Sequence, residues 1–441
     1  MLISSSRQAT QRGAVLIHVA IAILGLVAFT AFVVDYGVMW VSRGQVQTSA
    51  DAGALSGAIA LAFDSPSDFT GAKEKAQAVA TANLVFGAAP DVQLADVTFP
   101  ACPPGLPGPP DTCVKVDAFR NQARNNPLPM FFGQAVGVGD QGVLATATAA
   151  VISGTMTDCL KPWAVIDRWD EFDGAETDWD TPAGDTDFTP NSTFDRYNSA
   201  PNAPPQENDT YVPPGPNTNG TGFRLPLDEG RRFAVKTDTN TNAEVSAGWF
   251  RAIRIPRLDG QTGGNVYNNN ITTCGGLPNG YWVPGNSVEC PDDIGNGDAA
   301  YWATQGCYGT EPGNMVGPTG QGIADLVARD PGASFVQDTG IVGSAFSPAT
   351  SSPRVVPVGV IDINHFMAQD PNGANGVLKL VNIFGFFIEG MGDVDANGNL
   401  SCCSKGGKAV IGRIMTIPSL GSGMSTLPTT SSFLKRVILV R

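Results

Sequence analysis

Residues 14–34 read AVLIHVAIAILGLVAFTAFVV, and what this stretch does organises the rest of the chain. Ala14 to Val34 is apolar except for His18 and Thr30. As a helix rising about 1.5 Å per residue, it is long enough to cross the hydrocarbon of a bilayer. It carries no solvent face, so a buried core helix fits poorly. Arg7 and Arg12 precede the run and no acidic residue does. That bias keeps residues 1–12 in the cytoplasm and exports everything from Asp35 onward. Tyr36 and Trp40 then fall at the far interface, where amphipathic rings are favoured. The rival is a cleaved secretory signal peptide, which has a shorter apolar region and ends at a small-residue site. The segment DYGVMW, Asp35 to Trp40, offers no such site. The expected location is therefore the cytoplasmic (inner) membrane, crossed once, with the bulk of the chain periplasmic or extracellular.

Composition narrows the function. A net charge of -14 over 441 residues argues against a nucleic-acid partner, which calls for clustered Lys and Arg. With 52 Gly, 33 Pro and only 15% charged residues, the exported part reads as loop-rich β structure. All eight cysteines, at 102, 113, 159, 274, 290, 307, 402 and 403, lie beyond the apolar run. An even count there suits disulfides formed in an oxidising compartment, with most of the pairing left open. Cys102 and Cys113 bracket a Pro/Gly-rich turn and form the expected pair. Cys402 and Cys403 are neighbours in sequence, and a bond between neighbours is strained, so each is expected to reach elsewhere or stay free. No C-x-x-C occurs and histidines number two, which disfavours zinc.

The helical pattern continues past the apolar run. Residues 41–62 lack proline and carry small residues at Ala50, Gly53, Ala54, Gly57 and Ala58, a three–four spacing that puts them on one helix face. Gly53 lies about 28 Å beyond Val34 in a continuous helix, so this face packs against protein and not lipid. The protein is either the chain's own exported domain or a neighbouring subunit. A second helix is expected at Gly71–Phe86, strands at Val92–Phe99 and Val114–Phe119, a short helix at Leu128–Val136 and a strand at Gly142–Ile152. Residues 157–225 form an acidic, Pro/Asn-rich loop region. Beyond it lie strands at Phe233–Lys236, Trp249–Ile255, Arg354–Ile361, Val377–Ile388, Ala409–Ile417 and Phe433–Val440, with one convincing helix, Gln321–Arg329. The fold class is α+β: a tail (1–12), a transmembrane helix with an extracytoplasmic extension (13–62), an α+β unit (63–156), the loop region (157–225) and a β-rich, loop-rich domain (226–441).

Residues 13–61 resemble the N-terminal segment of the TadE/TadG-like Flp pilus-assembly family. The carriers are Arg12-Gly13 before the run, Val34-Asp35-Tyr36-Gly37 at its end, Arg43, Gln47, and Ala50-Asp51-Ala52-Gly53-Ala54-Leu55. Weaker echoes follow in NPLPMFFGQAVGV (Asn126–Val138), ATATAAV (Ala145–Val151) and CLKPWAVID (Cys159–Asp167). The resemblance implies a single-pass, pilin-like or pseudopilin-like component of a bacterial Tad pilus or secretion system, non-enzymatic, with a pilin-like unit after the helix and other subunits as partners through that helix. Pilin-like members of the family carry a glutamate five residues after a cleavable glycine. Here the glycine is Gly13 and the matching position is His18, whose neutral imidazole cannot offset a freed amine, which argues against processing at Gly13. His18 lies close enough to the start of the run to snorkel to the headgroups. Larger relatives can carry an adhesion-type module beginning D-x-S-x-S, a string absent here.

Few residues are suited to catalysis. His365 is the only histidine outside the apolar run, no G-x-S-x-G elbow accompanies it, and IDINH (Ile361–His365) reads as a strand end. Gly137-Val-Gly139-Asp-Gln-Gly142 follows a helix and precedes a strand, the reverse of a dinucleotide fingerprint, and reads as a turn. The glycine-rich stretch Gly313–Gly322 lacks lysine and also reads as a structural turn. The best ligand-type pattern is Asp393, Asp395, Asn397, Asn399 and Ser401 with Gly398 sixth, the first half of a calcium loop. Position twelve is Ser404 and not glutamate, so an Asp/Asn/Gly-rich hairpin turn competes with calcium. No other cofactor is expected. An anchored adhesin or calcium-stabilised binding module is the alternative to the assembly role.

Overall fold

The computed structural model describes residues 8–64, 68–106, 113–137, 139–154, 156–170, 187–188, 197, 209–236, 250–256, 263–274, 281–282, 289–294, 298–311, 315–337, 339–368, 376–394, 400–404, 406–419, 427–428 and 430–440. The chain has no proline before Pro66, and one helix, α1, takes up that freedom: it runs Gln8–Ile59 and closes in a π-turn at Ala60–Asp64. At 52 residues α1 is about 78 Å long. Helix α2, Phe69–Ala82, begins where the Asp68 carboxylate accepts the Gly71 N–H at 2.9 Å, and it runs back antiparallel along α1.

Both helices lie on a five-stranded sheet ordered 97–98, 113–120, 143–153, 434–440, 417–418. Strands Cys113–Arg120 and Val143–Ser153 pair antiparallel over eight residues. Period-two alternation aims Val114, Val116 and Ala118, with Val143, Ala145, Ala147, Ala149 and Val151, at the helices. Cys113, Ala150 and Ile152 face the other way, and there Cys113 bonds Cys102 as the sequence predicts. The strand Leu434–Val440 is found close to its predicted place, but it pairs with Val143–Ser153. This strand thus joins the sheet on which α1 lies.

The second, nine-stranded sheet is built around Val377–Val394, an 18-residue strand flanked by Val355–Ile361 and Ala409–Met415. Its core is aromatic: Phe223, Phe233, Phe384, Phe386, Phe387 and Phe433 are buried with Trp163 and Trp169. Arg354 ties the sheet to the loop after helix Val316–Arg329, donating to the carbonyls of Ala333 at 2.7 Å, Ile388 at 2.9 Å and Asp330 at 3.0 Å.

Several expectations are corrected. Leu128–Val136 is not a helix. Leu128–Pro129 is a short strand and Gly133–Val136 a 3-10 turn, because Pro127 and Pro129 withhold N–H groups and Gly137, at φ 84°, stops the turn. Strand Val92–Phe99 shrinks to Val97–Thr98, since Leu94–Asp96 forms a 3-10 turn whose Asp96 carboxylate accepts the Gln93 N–H. Helices also form at Gly264–Thr272, Ala299–Ala303 and Ile363–Ala368, and the last of these takes His365 off the strand end. Cys402 and Cys403 bond to each other, across a cis peptide that brings their Cα atoms to 3.0 Å. The remaining cysteines pair as Cys159–Cys274 and Cys290–Cys307.

Candidate functional site

The surface of α1 changes character along its length. From Val15 to Val34 the apolar side chains point outward: Leu16 is 73% exposed, Leu24 69%, Phe29 66% and Val34 46%. The most apolar 18-residue window has a mean hydropathy of 2.6 and none of it is buried by the protein. A surface this apolar and this uncovered is matched by lipid or by another apolar helix. Ala14 begins the run within α1, and His18 lies on it with its side chain exposed.

Asp35 marks the change. It is buried, and its carboxylate accepts three backbone N–H groups: Gly133 at 2.6 Å, Phe131 at 2.9 Å and Phe132 at 3.1 Å. These amides open the 3-10 turn Gly133–Val136, so one carboxylate both caps that turn and fastens the loop to α1. From the sequence, Asp35 is only the boundary of the apolar run. Its partners lie some hundred residues away in a segment whose prolines and glycines announce a turn but not its target.

Beyond Asp35 a stripe at Ser42, Val46, Ser49, Ala50, Gly53, Ala54, Gly57 and Ala58 is buried. A Cβ on Gly53 would stand 2.9 Å from Ala80 Cβ and 3.0 Å from the Ala76 carbonyl oxygen; on Gly57 it would stand 2.9 Å from Val114 and 3.1 Å from Ala76 Cβ. Ser49 reinforces the contact by donating to the Ala80 carbonyl at 2.8 Å. The small-residue face therefore packs on the chain's own α2 and first sheet. Of the two readings the sequence leaves open, the structure fills this face from within, and it leaves the apolar run from Val15 to Val34 uncovered.

The second domain supplies less chemistry. Asp395, Asn397 and Asn399 lie outside the described residues. Asp393 and Ser401 face each other across the pairing of Val377–Val394 with Leu400–Cys402. The Asp393 carboxylate accepts from Ser404 Oγ at 3.2 Å and from the Lys408 N–H at 3.3 Å. Among the described residues no group of three His, Cys, Asp or Glu side chains is arranged to hold a metal. His365 is half-buried with Nε2 3.2 Å from the Val377 carbonyl, and burial lowers its pKa.

The CLKPWAVID segment is structural. Cys159 is tied to Cys274, Lys161 Nζ donates to the Thr273 carbonyl at 3.1 Å, and Trp163 Nε1 donates to Tyr267 Oη at 2.8 Å, so all three brace helix Gly264–Thr272. Burial brings the Lys161 pKa down to about 8. Asp167 ends the segment fully buried, accepting from the N–H groups of Arg168 and Phe223 and from Tyr211 Oη, and burial pushes its pKa up to about 7. Nothing in the local sequence announces an acid buried this deeply.

No curated protein and no solved structure matches the chain. Residues 13–60, the span of the exposed apolar run and the small-residue face behind it, match the TadE/G-like Flp pilus-assembly family.

Proposed function

We propose that this protein is a membrane-anchored structural component of a bacterial Tad/Flp-type pilus or secretion machine, in the manner of a minor pilin or pseudopilin. The observation that carries this reading is a coincidence of positions. The family match covers residues 13–60, and within that span lies an apolar helix surface that the chain itself leaves uncovered. The helix holds the protein in the cytoplasmic membrane and offers its uncovered side to the helices of other subunits. Arg7 and Arg12 hold the short end in the cytoplasm, and the disulfide-bonded domains stand outside it. The work is mechanical, through helix packing in the membrane and sheet surfaces beyond it, with no catalytic group and no cofactor assigned.

Deleting the gene tests the proposal. Surface filaments of the Flp type should be lost, as counted by electron microscopy, and should return with the full-length chain. Filaments of normal number and length in the deletion strain would sink the assembly role.

A further inference from the structure

From the level of Asp35 to that of Gln45, about 15 Å further along α1, the first domain exposes large apolar side chains gathered from three separate stretches. Tyr36 and Trp40 project from α1 at 55% and 67% exposure, Leu84 from the turn after α2 at 56%, and Phe131 and Phe132 from the loop held by Asp35 at 55% and 48%. Both non-helical stretches are fastened to α1 itself. The Phe86 N–H donates to Gln45 Oε1 at 2.7 Å, and Asp35 accepts the Phe131–Gly133 amides. The Phe86 and Phe131 rings meet edge to face with centroids 6.2 Å apart, which joins the two stretches into one apron. Neither Leu84–Pro90 nor Pro127–Gly139 contains a charged residue. Below the apron, Met130 and Phe132 line one wall of an apolar groove whose other wall is α1 at Leu24, Val27, Ala31 and Phe32.

We infer that the lower edge of this apron is a second membrane contact: Phe131 and Phe132 sink into the acyl-chain and headgroup boundary of the leaflet at the Val34 end of the helix. The inference rests on α1 crossing a bilayer, as the proposed function requires. The depth follows from geometry. Asp35 is one residue past the apolar run, so the amides it holds lie level with the end of that run. A bilayer that takes in Ala14–Val34 therefore meets Phe131 and Phe132 whatever else surrounds the helix. The groove, mostly apolar with Asp35 and Gln141 among its lining residues, continues the lipid-facing surface of α1 as far as Leu24, about 16 Å further into the run than Asp35. Asp35 poses no obstacle, because three N–H donors replace the water its carboxylate gives up. Aromatic rings at this level have the interfacial preference expected of Tyr36 and Trp40, and burial to about 5–10 Å is the depth an amphipathic surface reaches. The domain then sits down on the bilayer and does not swing above it on a free stalk, which fixes the angle at which it meets neighbours.

The test uses the full-length protein in phosphatidylethanolamine–phosphatidylglycerol vesicles. All eight native cysteines are in disulfides, so a single introduced cysteine can carry an environment-sensitive fluorophore. The positions are Leu24→Cys in the run, Phe131→Cys and Phe132→Cys in the apron, and Tyr301→Cys, exposed in the second domain. Expected at both apron positions is blue-shifted emission and a loss of intensity to acyl-brominated lipid comparable with that at Leu24. That loss should be strongest with bromine near the headgroup, and the Tyr301 probe should respond to aqueous iodide alone. Apron probes that iodide quenches and bromolipid does not, beside a bromolipid-quenched Leu24, would overturn the inference and leave the anchor standing. Apron probes shielded from both quenchers and cross-linking to a second copy would make the surface a protein interface and overturn it equally. A Leu24 probe untouched by bromolipid would remove the anchor and this inference together. Two apron positions guard against taking the local effect of one substitution for the placement of the loop.

Discussion

The two largest hydrophobic cores among the described residues are built from different side chains. Beside α1 the fully buried members are Ala, Val and Leu, with Ala50, Ala54, Ala58, Ala72, Ala76 and Ala80 in the line of contact. Across the nine-stranded sheet the buried members include Trp163, Trp169 and a cluster of phenylalanines, with Phe384 between Phe223, Phe233 and Phe433 at centroid distances of 5.5–6.2 Å. The first core brings backbones together so that a long rod lies flush on α2 and a sheet. The second fills volume between a sheet and loops. A close-packed seam fails when something is added, whereas a volume-filled core fails when something is removed.

That contrast predicts opposite sensitivities. Phe384→Ala should cost about 3–5 kcal/mol, the largest effect here, because the ring is fully buried among aromatic neighbours. Thermal unfolding of the detergent-solubilised protein should show the drop, and a change below about 1 kcal/mol would mean the second core repacks freely. Gly57→Val should cost about 1–3 kcal/mol, since its added atoms meet Val114 and Ala76, whose backbones are held in a sheet and a helix. Gly44→Ala is the control: no atom lies within 4 Å of the added methyl, so stability should hold or rise slightly. Equal losses at Gly44 and Gly57 would erase the distinction between the seam and the open helix surface.

Much of this was legible in the sequence where the chemistry is local. The apolar run, the small-residue stripe and the alternation of Cys113–Arg120 and Val143–Ser153 report their own elements, because burial on one face leaves a period in the string. The Cys102–Cys113 bond closes a short loop and was within reach for the same reason. What was not legible depends on distant partners. The string over Leu434–Val440 says strand, but nothing in it says that its partner lies some 290 residues back. Helices Gly264–Thr272 and Ile363–Ala368 are too short and too polar to show a period, and form because Tyr267, Ile271, Ile363 and Phe366 have a core to enter. Asp35 shows both sides: its place at the end of the run is legible, and the three amides it holds are not.

Two buried carboxylates, Asp35 on α1 and Asp167 among the several beside the second core, sharpen the contrast. Asp35→Ala should release the Phe131–Gly133 amides from α1, costing about 1–3 kcal/mol through unpaired N–H groups. Because the loss is local, hydrogen exchange should speed up at these amides while those of Val377–Val394 keep their protection. Unchanged exchange at Phe132 and Gly133 would show that other contacts hold the loop.

In the second core Asp167 predicts a pH effect, smaller at any one pH but distinctive in sign. Three donors reach its carboxylate, yet full burial outweighs them and raises the pKa from 3.8 to about 7. Between those values the folded protein keeps a proton that the unfolded chain has released. Stability attributable to this group is therefore complete in acid and is lost as the pH climbs towards 7. Asp228 and Glu229 are raised by burial as well, so the wild-type slope alone would not single out Asp167. Asp167→Asn isolates it: the amide oxygen still accepts the Arg168 and Phe223 N–H groups, the NH2 can donate to Tyr211 Oη, and no charge is left to titrate. Unfolding midpoints taken across that interval should fall less steeply for the variant than for the wild type. Parallel slopes would mean that the Asp167 carboxylate is ionised throughout, and that its three donors outweigh the cost of burial.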